Sequence, residues 1–166
     1  MSPILTKDDL DFISHGEEQT RRLGERLGAL VQAGDVICLE GPLGSGKTRF
    51  VQGVGRGMGV DGIVSSPSFT IVNQYFSPSS GLTLYHLDFY RLLDAEFPGF
   101  DPDECFGDEG VAVVEWPERA RRLIPEASLW LTFRHVGETK RGLLMHANGG
   151  RYRELLRAFR RAAFGI

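Results

Sequence analysis

Eight consecutive residues, Gly41-Pro42-Leu43-Gly44-Ser45-Gly46-Lys47-Thr48, match G-x-x-x-x-G-K-[ST] in full. The chemistry this spacing supports is capture of a polyphosphate together with its cation. Glycines without Cβ let successive amides turn inward on one anion. Lys47 adds a mobile positive charge for the β- and γ-phosphates. The Thr48 hydroxyl is a hard oxygen suited to Mg²⁺. On this reading the cofactors are ATP and Mg²⁺. The nucleotide-binding set is Gly41, Leu43, Gly44, Ser45, Gly46, Lys47, Thr48, the following Arg49, and Trp116 further along.

Mg²⁺ keeps several waters when bound to phosphates, so one or two carboxylates suffice to complete its site. Two acids end short apolar runs. Asp88 follows Leu82–Leu87, and Glu115 follows Val111–Val114. If both runs are internal strands, both acids project at the C-terminal edge of a sheet, beside the loop. Spacing alone does not say which holds the metal and which orients an attacking water. Trp116 can pack on the nucleotide, on a partner or in the core. Ser65–Thr70 is hydroxyl-rich and reads either as a plain loop or as a segment ordered against a γ-phosphate. His86 lies inside a strand pattern and is expected to be a satisfied core histidine. His15, His135 and His146 show no metal-ligand spacing.

The elements that must position these groups read as an α/β chain. Phe12 and Ile13 precede Ser14, with Glu17 three residues on, a capping-box pattern. Leu23, Leu27, Leu30 and Val31 predict a helix over about 16–32, ended by Gly34. Val36–Leu39 suits a strand buried on both faces. The helix after the loop carries Phe50, Val51 and Val54, then dissolves into Gly55, Gly57 and Gly59. Phe69–Phe76 and Leu82–Phe89 predict a hairpin around the loop Ser77–Gly81. Val111–Val114 is a further buried strand, and Pro117 suits the first turn of a helix. Leu129–Arg134 and Gly142–His146 are candidate edge strands. The expected architecture is a P-loop NTPase-like three-layer fold: a mostly parallel central sheet plus an antiparallel hairpin. Residues 1–166 form a single domain, with a basic amphipathic helical tail at about 151–166.

Bulk composition agrees. A chain of 166 residues suits one core. Its 21 glycines exceed the ordinary share of ~7%, and their crowding near the loop invites a backbone explanation. The net charge of −3 argues against general polyanion binding. No run approaches a membrane span, no signal-peptide core begins the chain, and Cys38 and Cys105 read as buried thiols, so a cytoplasmic location is expected. Charge is uneven. Nine acids and no Lys or Arg lie between Leu92 and Glu118, against five arginines and Glu154 in Arg151–Ile166. These are solvated faces or docking surfaces.

Taken together the motifs resemble the bacterial tRNA threonylcarbamoyladenosine biosynthesis ATPases, the TsaE (YjeE) family. The match runs over roughly 14–131. It rests on Ser14…Glu17-Glu18…Thr20…Leu23-Gly24, on Gly34-Asp35 with Gly41–Thr48, on Ser65–Thr70, and on His86–Leu92 with Val114–Glu118. The resemblance implies a slow Mg-dependent ATPase working with TsaB and TsaD. That set installs threonylcarbamoyl on adenosine 37 of tRNA, which the ATPase reaches through the complex. It further implies Asp88 and Lys47 as catalytic groups, Thr48 and Glu115 as metal ligands, Trp116 beside the site, Thr70 in a switch-like segment, and Glu17–Thr20 on the adenine side. Three positions depart from the family pattern. Pro42 stands where Asp is usual and removes an N–H; Ser68 and Arg49 each stand where Thr is common. Two other readings stand beside this one: a small-molecule kinase on the same loop, although 90–118 has no arginine-rich lid, and a nucleotide-gated adaptor without useful turnover.

Overall fold

A computed structural model describes residues 3–67, 70–92 and 101–166. One eight-stranded sheet organises them, in the order β1-β2-β8-β7-β3-β6-β5-β4. The strands are β1 (Ile4–Leu5), β2 (Asp9–Ser14), β3 (Val36–Glu40), β4 (Val72–Phe76), β5 (Thr83–Asp88), β6 (Gly110–Glu115), β7 (Ser128–His135) and β8 (Arg141–Asn148). The expected parallel centre is present as β7-β3-β6-β5. Antiparallel strands extend it on both sides: the hairpin partner β4 on one, and β8, β2 and β1 on the other. The late strands are therefore not edges. β7 lies against the loop-bearing strand β3, and the edges are β1 and β4.

The parallel strands are apolar on both faces because both faces are covered. Ile37, Leu39, Leu84, Val111, Val113, Leu129 and Leu131 face one core. There they meet α1 (Glu17–Gly28), α2 (Lys47–Met58) and α4 (Gly150–Phe164). The alternate residues Val36, Cys38, Tyr85, Leu87, Ala112 and Val114 face a smaller core. Among the described residues only short pieces cover it: α3 (Pro102–Cys105), a 3-10 segment (Pro117–Leu123) and loops. Among the described residues the third layer is thus thin on the side of Trp116 and Trp130. Both cysteines are buried free thiols whose ionisation burial suppresses, Cys105 pushed up to about 11.

Several local expectations change. β2 was not expected as a strand, yet Leu10, Phe12 and Ser14 alternate inward against outward Asp9, Asp11 and Ile13, a period-two pattern. Ser14 does not cap α1. Gly16 is the N-cap without a side-chain bond, while the Ser14 hydroxyl binds the Gly16 carbonyl and the Thr20 hydroxyl (2.7 Å). The helix ends at Gly28, short of Leu30 and Val31. The 3-10 segment takes the place of the helix expected at Pro117. The hairpin starts at Val72; Ser68 and Phe69 lie outside the described residues, as do Asp94 and Glu96 of the acidic run.

The glycine excess has two causes. One is the loop 41–46. The other is the crossing of α1 on α2, where Gly24, Gly28, Gly53 and Gly57 leave no room for side chains. A Cβ on any of them would overlap the facing helix backbone; at Gly53 the obstacle is the Arg21 carbonyl. α2 therefore runs through its glycines to Met58 and ends on left-handed Gly59. Gly53→Ala is expected to destabilise the fold by about 2 kcal/mol net, since overpacking outweighs the ~1 kcal/mol gain in helix propensity. Thermal unfolding should show a midpoint lowered by about 4–8 °C. Gly150→Ala, where an added Cβ meets open space, should leave the midpoint near that of the unaltered protein.

The basic tail is partly spent inside the molecule. Arg151 grips the buried Asp35 through two bonds (3.0 and 2.7 Å), and Arg153 binds Asp8 (2.6 Å). Tyr152 accepts the Val36 N–H through its hydroxyl (2.9 Å). These contacts pin α4 to the start of β2 and β3, so part of the arginine run serves docking within the chain. In the acidic run, Asp101 caps α3 and Glu115 turns inward.

Candidate functional site

The loop 41–46 leaves the C-terminal end of β3 and enters α2 at Lys47. Gly44 and Gly46 adopt φ of 74° and 101°, backbone that glycine reaches without strain. Both turn the chain so that the N-terminus of α2, with its unpaired amides and positive dipole end, faces the same space as the loop. Pro42 sits in the outer turn, where its carbonyl accepts the Ser45 N–H (3.2 Å).

Parallel register brings the acids to this edge. Asp88 and Glu115 are paired last residues of β5 and β6, and Leu39 of β3 pairs with Glu115. The two carboxylates, read from sequence as separate candidates, thus face each other across adjacent strands. Thr48, in the first turn of α2, donates to Glu115 at 3.1 Å (Oε1) and 3.2 Å (Oε2). The Thr48 oxygen is 2.9 Å from the Ser66 hydroxyl. Because the Thr48 proton is committed to Glu115, Ser66 is the donor of that contact, which ties the hydroxyl-rich segment to the loop. Thr70 bonds within its own turn, to Val72 and Asn73, and also lines the cavity.

Lys47 is buried and donates to the Gly41 carbonyl, with Nζ 3.5 Å from the centre of the Trp116 ring. Trp116 has φ 58° and ψ 46°, left-handed backbone that costs a non-glycine residue about 1–2 kcal/mol. The turn makes two adjacent residues serve one site: Glu115 reaches Thr48 while Trp116 swings under Lys47. Tyr90 packs on Trp116 (4.9 Å between centroids), and Arg119 lies over both rings. Tyr90 entered the sequence reading only as part of the His86–Leu92 block, and Arg119 did not stand out at all. Burial draws the Lys47 ammonium below the usual lysine range, opposed by Glu115, Glu118 and Asp88. Burial raises Asp88 above the usual carboxylate range, opposed by the Tyr90 N–H bonded to it at 2.9 Å.

These groups line one cavity of about 1160 Å³. Leu43, Gly44, Ser45, Gly46, Lys47, Thr48, Arg49, Asp88, Glu115 and Trp116 are all in its wall. Gly41 is not. It lies beneath the loop against Phe133, and its carbonyl holds Lys47. The wall also includes His15, Gly16, Glu17 and Thr20, and Glu138, Thr139 and Arg141 at the β7–β8 turn. Arg141 reaches the Gly44 carbonyl (3.3 Å). No local signal in the sequence marks that turn; it arrives because β7 runs parallel beside β3 and ends at the same edge.

The comparisons with known proteins decide the family. The sequence profile described as "Threonylcarbamoyl adenosine biosynthesis protein TsaE" matches residues 14–143. The chain belongs to the TsaE family. Similar proteins described as tRNA threonylcarbamoyladenosine biosynthesis protein TsaE include one from Bacillus subtilis (strain 168), 38% identical over 138 residues, covering 83% of this chain and 85% of that one. One from Streptomyces coelicolor is 44% identical over 123 residues, covering 72% and 82%. The crystal structure of Bacillus subtilis YdiB superposes with a TM-score of 0.77 at 32% identity, over 92% of this chain and 95% of that one.

In this TsaE chain Glu17 and Thr20 of the Glu17–Thr20 segment, expected on the adenine side, line the same cavity as the acids, and Glu17 pairs with Arg49 (3.4 Å). Among the described residues no group of three or more His, Cys, Asp or Glu is placed to hold a metal by itself. Thr48 and Glu115 offer an alcohol and a carboxylate, hard oxygens for a cation that arrives with phosphate oxygens of its own. Among the described residues no helix is long and apolar enough to cross a membrane.

Proposed function

We propose that this TsaE chain is a magnesium-dependent ATPase of the tRNA threonylcarbamoyladenosine pathway. It acts in the cytoplasm with TsaB and TsaD and reaches tRNA through them. The observation that supports it most is convergence: loop amides, Lys47, Thr48, Glu115 and Asp88 meet at one sheet edge although they come from three strands and a helix. Family membership supplies the pathway.

Amides of 43–48 cradle the β- and γ-phosphates, and Lys47 leaves the Gly41 carbonyl to meet them. Thr48 and Glu115 would hold a magnesium ion, which would supply positive charge to offset that of the transferring phosphoryl group. Asp88 orients the attacking water and takes its proton, a role its raised proton affinity suits. Trp116 bears on the Lys47 position from below. Catalysis here is mostly positioning and electrostatics.

Phosphate release from ATP by the purified chain tests the reading. The rate should be slow alone and rise when TsaB and TsaD are added together. A rate indifferent to them contradicts the partner assignment, and phosphate appearing on a small molecule instead of water makes the chain a kinase.

A further inference from the structure

We propose that His86 is a positioning residue for the cation site: its Nε2–H anchors Glu115 and sets which carboxylate oxygen faces the cation. The proposal rests on the magnesium-dependent reading above. His86 is fully buried, and Glu115 is 3% exposed. Nε2 lies 2.6 Å from Glu115 Oε2, whereas Nδ1 is buried and has no hydrogen-bond partner among the described residues. The histidine is therefore not the satisfied core residue its strand context suggests.

The arrangement follows from register. Asp88 pairs with Glu115, so His86, two residues back on the same face of β5, meets the Glu115 carboxylate diagonally. Leu84, two residues further back, is apolar and joins the core. A leucine at position 86 would continue that core without stranding a polar atom. What histidine adds is one directed donor.

A neutral imidazole has one N–H and one lone pair. With a carboxylate at Nε2 and no partner at Nδ1 among the described residues, Nε2 carries a proton whether the ring is neutral or charged. Glu115 is then gripped from two elements, by His86 of β5 and by Thr48 of α2. Among the described residues Oε2 receives both donors, while Oε1 receives only Thr48. Oε1 is thus the oxygen left with capacity for a cation or one of its waters. Thr48 can give its oxygen to the cation and keep its proton on Glu115, so the two grips coexist. Partners that orient ligating carboxylates in this way ordinarily set metal affinity.

His86→Met removes the donor at similar volume, and His86→Gln keeps a donor at the reach of Nε2. Mn²⁺ binding, read by electron paramagnetic resonance with a non-hydrolysable ATP analogue present, should weaken about 10- to 100-fold in His86→Met and be largely restored in His86→Gln. Affinity for the analogue in EDTA should be unchanged in both, because the loop and Lys47 are untouched. A folded His86→Met that binds Mn²⁺ like the unaltered protein overturns the proposal. Should the variants not fold, the unaltered protein still decides: long-range ¹H–¹⁵N spectra must show His86 as the Nε2–H tautomer, and an Nδ1–H tautomer overturns it. If the unaltered protein binds no Mn²⁺ with the analogue, the magnesium-dependent reading itself falls, and the tautomer is read independently of that failure.

Discussion

Lys47→Ala is expected to weaken ATP binding by on the order of 100-fold, the largest loss of any single substitution in the loop. Hydrogen bonds to charged groups contribute roughly 1.5–3 kcal/mol, and the upper end of that range is about two decades of affinity. The ammonium is the one lysine charge in the cavity wall. It is held in readiness by the Gly41 carbonyl and the face of Trp116, so little conformational freedom is lost when it turns to phosphate. The fold should survive. Removing Lys47 leaves the Gly41 carbonyl beside solvent-accessible space and frees the Trp116 ring, neither of which holds the core together. Calorimetric titration with ATP, alongside an unfolding curve, checks both halves of this expectation. ATP affinity equal to that of the unaltered protein would show that the loop does not bind phosphate through this residue.

Asp88→Asn should leave ATP and Mg²⁺ binding within a few-fold and reduce turnover by on the order of 10²-fold or more, the usual contribution of a positioned general base. Asparagine keeps an oxygen to accept the Tyr90 N–H, so the loss reports chemistry and not collapse of the turn. The pH dependence follows from the direction of the shift. Burial raises Asp88, so its ionised, active form disappears at a higher pH than for an ordinary carboxylate. The acid limb of kcat/KM, which reports the free enzyme, should lie above the usual aspartate range and be lost in the variant. Linkage gives the companion result. A carboxyl whose proton affinity is higher in the folded state contributes stability at low pH, and that contribution is lost as pH rises through the folded value. At neutral pH the ionised Asp88 therefore weighs against the fold, and Asp88→Asn should melt no lower than the unaltered protein. Full turnover in the variant would remove Asp88 from the mechanism.

How much was legible differs from residue to residue. The loop could be read because its chemistry is local: consecutive amides, one lysine and one hydroxyl suffice, and a short apolar run before with a helix after completes the signal. Asp88 and Glu115 were visible as acids ending apolar runs, since parallel strands aligned at one edge must present their last residues together. β2 was hidden by Asp9 and Asp11, which face outward and dilute the apolar count while leaving the alternation intact. The end of α2 was obscured for a different reason. Its glycines lower helix propensity locally, and only the facing backbone of α1 shows why they are there.

The sequence alone determined the α/β class, the glycine-rich loop between a strand and a helix, the pair of strand-end acids and, through its ordered blocks, the family. Each depends on residues near one another in the chain or on patterns with a fixed period. Tertiary structure alone decided that His86 and Thr48 hold Glu115, that Lys47 rests on a strained Trp116, and that the β7–β8 turn walls the cavity. Those pairs are separated by tens of residues, and a side chain's partner across a sheet is set by register and strand order. No local propensity encodes either quantity.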